Sequence, residues 1–269
     1  MTNKKRKISL DIAQKLYNDY MILDDNKNLS EKLFKNTDSD ILLNYTDLSI
    51  REIYNKLLID NYPNESAIKA KFIDKVLLKS KSHISIFELN VNNSRADLCK
   101  INGSSNAFEI KTDLDSPFRL RKQLNDYLEV FEYVSIICSE DKYHIFCQYL
   151  TKNCGVYTYS INSFNYNFKL KRAPIKNSNY SSSKQLQVLN KQELIDSFKV
   201  PKTLKKEEMI EHISHKYSKK TINSTFKKNL KNRYTDKWNF FVQNHNDILE
   251  IDYQWFFKNN IPPEKIYHY

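Results

Sequence analysis

Apolar residues recur at helical spacing through the first sixty positions of the chain. Ile12, Leu16, Tyr17 and Tyr20 form one stripe, and Ile50, Ile53, Leu57 and Leu58 form another, so residues 10–58 are expected to be helical. Asn61-Tyr62-Pro63-Asn64 interrupts the pattern. Glu65 then opens a helix reaching about residue 78, with Ile68, Phe72, Val76 and Leu77 turned inward. Beyond it the period shortens to two. Residues 83–91 alternate through Ile84, Ile86 and Val91, with Glu88 standing in an apolar position. Segments 96–101 and 107–112 flank Asn102-Gly103, a dipeptide that favours hairpin turns. Ser116 is a cap and Pro117 a first position for a helix ending near Phe131. Segments 134–138 and 143–149 are read as two more strands, and the aromatic alternation over 156–170 as the part that closes the sheet.

A Ser/Asn/Lys stretch at residues 176–184 is the best linker candidate. After it, Asn190-Lys191-Gln192-Glu193 resembles a capping box and starts a helix to Phe198. Pro201 interrupts, a second helix is expected over about 203–217, and further helices around 226–230 and 234–242. These elements divide the chain into an N-terminal helical segment (1–60), a sheet-containing core (61–175) and a basic helical region (185–269). Trp238 and Trp255, flanked by Phe240, Phe241, Phe256 and Phe257, are read as core anchors. His212 and His215 share a helix without a third ligand, which argues against zinc.

Charge sharpens this division. The net charge is +11, and from residue 160 onward there are 20 Lys and Arg against 10 Asp and Glu, so nearly all of the excess lies there. DNA is the default partner of such a surface and RNA the other polyanion to consider, although a Lys-rich solvated face would have the same composition. Two glycines, Gly103 and Gly155, are too few for a phosphate-binding loop or a dinucleotide fingerprint. No run approaches 18 apolar residues, and Lys4-Lys5-Arg6-Lys7 leads into Ile8-Ser9-Leu10-Asp11, too short and polar for a signal peptide. A cytoplasmic protein without a membrane span is expected. Cys99, Cys138, Cys147 and Cys154 lack paired spacing and are read as reduced thiols. Oligomeric state is left open, a dimer included.

The chemistry is expected at the hairpin. With a turn centred on Gly103, Asp97 lies opposite Glu109; with one centred on Ser104, it lies opposite Lys111. Alternation puts Glu109 and Lys111 on one face in both cases, so either register gathers two acids and an amine. Carboxylates suit Mg²⁺ or Mn²⁺, hard cations that neutralise charge on a phosphodiester and lower the pKa of a bound water. Asp97 and Glu109 are therefore assigned as metal ligands, with the Ile110 carbonyl completing the shell. Lys111 is assigned as the water-positioning or basic residue. Arg119, Gln123 and Tyr127 fall on one helical stripe that could grip a phosphate or hold Lys111, or could simply border the apolar stripe of Phe118, Leu124 and Phe131.

Taken in order, Ser94-Arg95-Ala96-Asp97-Leu98, Phe108-Glu109-Ile110-Lys111-Thr112-Asp113-Leu114-Asp115, Arg119-Leu120 and Gln123 to Tyr127 resemble the PD-(D/E)XK nuclease superfamily. Within it the match is nearest to a group of bacterial proteins with Arg-x-Asp, Glu-Ile-Lys-Ser/Thr-Asp and Gln-x-x-x-Tyr motifs. The Gln-x-x-x-Tyr step is also similar to the helix motif of RecB-type and CRISPR-associated exonucleases. The resemblance covers about residues 65–137. It implies an α/β fold with a restriction-endonuclease-like mixed sheet flanked by helices, metal ligation by Asp97 and Glu109, catalysis by Lys111, and support from Gln123 and Tyr127. A further acid is usual in the superfamily. Glu65 fits one position for it and Glu88 another; Glu88 ranks slightly ahead, because an unpaired charge in an apolar strand is unfavourable. Ala96 replaces the superfamily's proline, and no cysteine trio fits the iron–sulfur cluster of RecB-type enzymes.

Residues 190–215 resemble, more faintly, a SAP-type helix–loop–helix module. That likeness implies nucleic-acid contacts by Lys199, Lys202, Lys205 and Lys206, beside Arg95 and Arg119 at the core. The expectation is thus a Mg²⁺- or Mn²⁺-dependent deoxyribonuclease in restriction, phage defence or mobile-element biology. The alternatives are a non-catalytic DNA-binding protein that keeps the nuclease fold, and an RNase.

Overall fold

Local chemistry sets the helix starts. The computed structural model describes residues 8–80 and 82–267; the basic run Lys4 to Lys7 lies outside them. The region expected as helical over 10–58 is four helices, α1 (Leu10–Asp19), α2 (Asn26–Asn36), α3 (Ser39–Leu42) and α4 (Ile50–Asn61). Ser9 and Asp25 cap the first two by accepting from Ile12 N and Asn28 N, and Ser49 with Glu52 forms a full capping box on α4. Asn64 caps α5 (Glu65–Phe72), and a π-turn over Ile73–Leu77 follows. Strands β1 (Ile84–Val91), β2 (Ser94–Asn102) and β3 (Ser104–Lys111) come next. Then come α6 (Leu120–Leu128), β4 (Tyr133–Ser139), α7 (Tyr143–Cys147), β5 (Gly155–Asn162) and β6 (Asn165–Arg172). The remaining helices are α8 (Ser182–Val188), α9 (Lys191–Phe198), α10 (Lys206–Lys216), α11 (Lys219–Asn244), α12 (Tyr253–Asn259) and α13 (Glu264–Tyr267). Among the described residues no helix is long and apolar enough to cross a membrane.

The chain forms two compact units. One comprises Lys75–Ser160 and Asn167–Trp238, and the other Met1–Asp74, Ile161–Tyr166 and Asn239–Tyr269. The first carries the six-stranded sheet, in the order β1-β2-β3-β4-β5-β6. β1, β2 and β3 run antiparallel, whereas β4 pairs parallel with β3 and β5 parallel with β4. The result is a mixed α/β architecture with helices against the sheet and a helical region after it. α6 supplies the crossover from β3 to β4 and packs on β2 and β4.

Three expectations are corrected. Residues 143–149 are not a strand: α7 occupies 143–147, because a parallel β4–β5 pair requires a crossover that turns the chain back. Tyr143, Phe146 and Tyr149 recur every three positions, a spacing that suits a helix, and of residues 143–149 Phe146 alone is fully buried. Residues expected as separate helices around 226–230 and 234–242 lie on one helix, α11, whose sequence contains no glycine or proline to break it. The linker candidate at 176–184 is tied down. Asn177 is buried, donates to the Leu128 and Phe131 carbonyls at 2.5 and 3.2 Å, and is followed by Gln185 donating to Val130 O at 2.8 Å.

Glu132 shows why that tether holds. Its buried carboxylate accepts from Ser105 N and Lys227 Nζ, both at 2.9 Å, and Lys227 also reaches the Gly103 carbonyl at the hairpin tip. Burial alone would raise this carboxyl's pKa; the Lys227 and Ser105 bonds outweigh it and hold it below the usual range.

The helical unit closes on Leu16, Leu29, Leu33, Tyr54, Leu57 and their neighbours. At its polar heart, the Tyr20 and Tyr267 hydroxyls both donate to Asp252 Oδ2, at 2.9 and 2.8 Å. Burial raises the Asp252 pKa to about 6 despite those two bonds. A raised carboxyl favours the folded state when protonated, so its contribution is complete below the unfolded value and lost as pH rises toward 6. We therefore expect urea denaturation of the wild type to show stability falling between about pH 4 and pH 6, by an amount on the order of 2–3 kcal/mol. Asp252→Asn, which keeps an acceptor for both phenols, should flatten that slope; parallel slopes would contradict the assignment.

Candidate functional site

The β2–β3 register builds the site. Asn102 pairs with Ser104 and Leu98 with Phe108, so the turn is centred on Gly103, whose φ of 67° suits glycine. Of the two registers open to the sequence, this one carried a step further sets Asp97 against Glu109. Asp97 Oδ2 accepts from the Ile110 backbone N at 2.6 Å, which fixes the acid against the neighbouring strand. Asp97, Glu109 and Lys111 are all buried, at 7%, 1% and 7% exposure, far below what surface charges show.

Such burial demands partners, and the partners are specific. Lys111 Nζ donates to Glu109 Oε1 at 2.7 Å and to Gln123 Oε1 at 3.1 Å. The Tyr127 hydroxyl lies 2.7 Å from Glu109 Oε2 and 2.8 Å from the Arg95 carbonyl, sharing its one proton between them. Gln123 and Tyr127 project from successive turns of α6, so the helix that covers the sheet also supplies the groups that satisfy it. Burial, and then the Glu109 charge, pushes the Tyr127 pKa up, so the phenol remains a donor. The two readings of the Gln123–Tyr127 stripe resolve in favour of contact with the charged residues.

Glu88 occupies an unusual place. The β1–β2 ladder pairs Phe87 with Leu98 and Leu89 with Ala96, leaving Glu88 opposite Asp97 with a φ of 58°. A left-handed non-glycine residue inside a strand is strained, and such strain gathers where a side chain must be aimed. The Glu88 carboxylate pairs with Arg95 Nε. Carboxylate oxygens of Glu88 and Asp97 lie within 4.8 Å of each other, close enough for one ion at oxygen–metal distances of about 2.1–2.4 Å to touch both. Their charges also act on the buried Cys99 thiol, whose pKa is pushed well above its ordinary value first by burial, then by Asp97 and Glu88. Glu65, the other candidate acid, belongs to the helical unit, where it opens α5 and pairs with Lys69 at 2.8 Å.

The segment after Lys111 is tightly held. Asp115 Oδ2 accepts from Thr112 N and Thr112 Oγ1 at 2.7 and 2.8 Å, and Ser139 Oγ donates to Asp113. Arg119 is exposed at the end of the short Pro117–Arg119 turn and does not enter the buried network. Sequence reasoning missed Ser139, and also Ser94, whose hydroxyl donates to Asp126 at 2.5 Å and ties the β1–β2 turn to α6. No spacing rule signals these pairs, since each joins positions far apart in the chain.

The C-terminal lysines are spread around the α9–α10 connection. Lys199 ends α9 in a left-handed conformation, and Lys202 and Lys205 are exposed. Lys206 is engaged, donating to the Gln187 carbonyl at 2.8 Å. The capping box expected from Asn190 and Glu193 is present.

A sequence family described as Bacteriophage P4 protein cII matches residues 59–254, which takes in the whole of this site. The chain belongs to that family. A P4 cII relative, "Protein cII" of Enterobacteria phage P4, is 38% identical over 76 residues, 28% of this chain and 29% of that protein, so the match spans less than a third of the relative's length. Among solved structures, the chain is similar to SPO1766, a protein of unknown function from Silicibacter pomeroyi, at 13% identity and a TM-score of 0.30, covering 40% of this chain and 70% of that one.

If the Tyr127 hydroxyl satisfies Glu109 and Arg95 as described, Tyr127→Phe should leave two buried acceptors short of a donor. Chemical denaturation should then show a loss on the order of 1–2 kcal/mol. A variant as stable as the wild type would mean the hydroxyl is dispensable to the network.

Proposed function

We propose that this protein is a Mg²⁺- or Mn²⁺-dependent deoxyribonuclease with a restriction-endonuclease-like core, acting in the cytoplasm. The observation that carries the reading is the buried Lys111, held between Glu109 and Gln123 on the face that Asp97 shares. The mixed sheet, with β4 joined in parallel to β3 through a helix, supports the same core.

The donor set fits a hard divalent ion. Asp97 and Glu88 offer hard oxygens at a bridging separation, the donor type a hard divalent ion takes, with Arg95 paired to Glu88 alongside. Asp97 and Glu88 would hold the ion, with Glu109 and the Ile110 carbonyl beside them. Bound there, the ion would neutralise charge on a phosphodiester and acidify a water. Glu109 fixes the Lys111 ammonium, Gln123 restricts its rotation, and Tyr127 anchors Glu109 in turn. Lys111 would thereby stand ready to orient a water and to donate to the phosphate oxygens as their charge grows. Arg95 and Arg119 at the core, and Lys199, Lys202, Lys205 and Lys206 in the SAP-like helical region, would contact DNA phosphates. The phage relative supports a role in phage or mobile-element biology.

Incubation of supercoiled and linear DNA, and of RNA, with the protein and Mg²⁺ or Mn²⁺ tests this. DNA should be cut by the wild type, and Lys111→Ala should be slower by at least about 100-fold while binding persists. Binding by both proteins without cleavage by either would replace this reading with a DNA-binding protein that keeps the fold. Cleavage confined to RNA would make it an RNase.

A further inference from the structure

The loop that leaves the site at Lys111 returns to it at Gln123, and the 3.1 Å bond between those residues closes it. Asp115 pins its first turn through Thr112, and the Ser116 hydroxyl accepts from Phe118 N at 3.3 Å at its second. On this braced loop Phe118 is 85% exposed and Leu114 65% exposed. Arg119, Arg121 and Lys122 are exposed beside Phe118, while the loop's acids Asp113 and Asp115 accept hydrogen bonds from Ser139 and Thr112. At a rise of about 1.5–2 Å per residue, Phe118 stands about 8–10 Å along the helix axis from Gln123. That is a step or two of a nucleic-acid strand.

We propose that Phe118 is a stacking platform for an unpaired base, and that the substrate class is DNA with single-stranded character at the cut site. An aromatic ring with adjacent cations matches a strand that presents base faces and phosphates together. A duplex interior offers no such face, since each base is covered by its neighbours. Stacking tolerates any base, so the platform selects strandedness and leaves sequence unread. The inference rests on the nuclease reading for the path of the strand over Lys111.

The test is fluorescence anisotropy of labelled DNA in EDTA, where no cutting occurs. The probes are oligo-dT, an abasic oligonucleotide of equal length, and a blunt duplex. Phe118→Ala should bind oligo-dT more weakly, on the order of tenfold, and Phe118→Trp should restore binding. Affinity for the duplex and for the abasic strand should not change. An exposed side chain is removed without touching the core, so matching thermal melts exclude misfolding. No loss on oligo-dT, an equal loss on duplex, or failure of the wild type to bind oligo-dT would overturn the proposal. Cleavage is scored separately: a protein that shows this Phe118 dependence but never cuts retains the stacking site and loses the nuclease reading.

Discussion

A lysine and a glutamate buried side by side persist only when each compensates the other and every remaining donor and acceptor is met. Lys111 and Glu109 meet that condition through Gln123 and Tyr127, and the need for those two side chains explains why α6 lies where it does. The hairpin turn at Gly103, the parallel step from β3 to β4 and the Glu132 tether all keep that helix and those strands in one register. Loss of either partner would leave the other's charge stranded in the interior, whereas the intact pair adds little net stability over apolar side chains.

Much of this was legible in the sequence because it depends on period. Alternation along a strand placed Glu109 and Lys111 on one face, and a spacing of four placed Gln123 and Tyr127 on one helical stripe. Asn102-Gly103 located the turn but left its centre open, and a shift of one residue would have given Asp97 a different partner. The capping box at Asn190 follows from a local hydrogen-bond pattern, which a sequence displays directly.

What was not legible depends on distance in space. Residues 143–149 are read as a strand although Tyr143, Phe146 and Tyr149 recur every three positions, and the parallel pairing of β4 with β5 shows that a crossover is needed there. The polar stretch at 176–184 looked like a linker because no local rule reveals that Asn177 finds the carbonyls of Leu128 and Phe131. The strained backbone at Glu88 left only a faint trace, a charge where an apolar residue was due. That conformation brings a second acid near Asp97, an arrangement local propensity does not show.

A metal-dependent nuclease requires that these acids hold a divalent ion. Titration of the protein with Mn²⁺, followed by the electron paramagnetic resonance signal of the free ion, measures this without requiring turnover. The wild type should deplete that signal stoichiometrically, and Asp97→Asn, which keeps the shape of the side chain and removes its charge, should weaken or abolish the depletion. A wild type that leaves free Mn²⁺ untouched, or a variant that binds it equally well, would contradict the metal-dependent site described here.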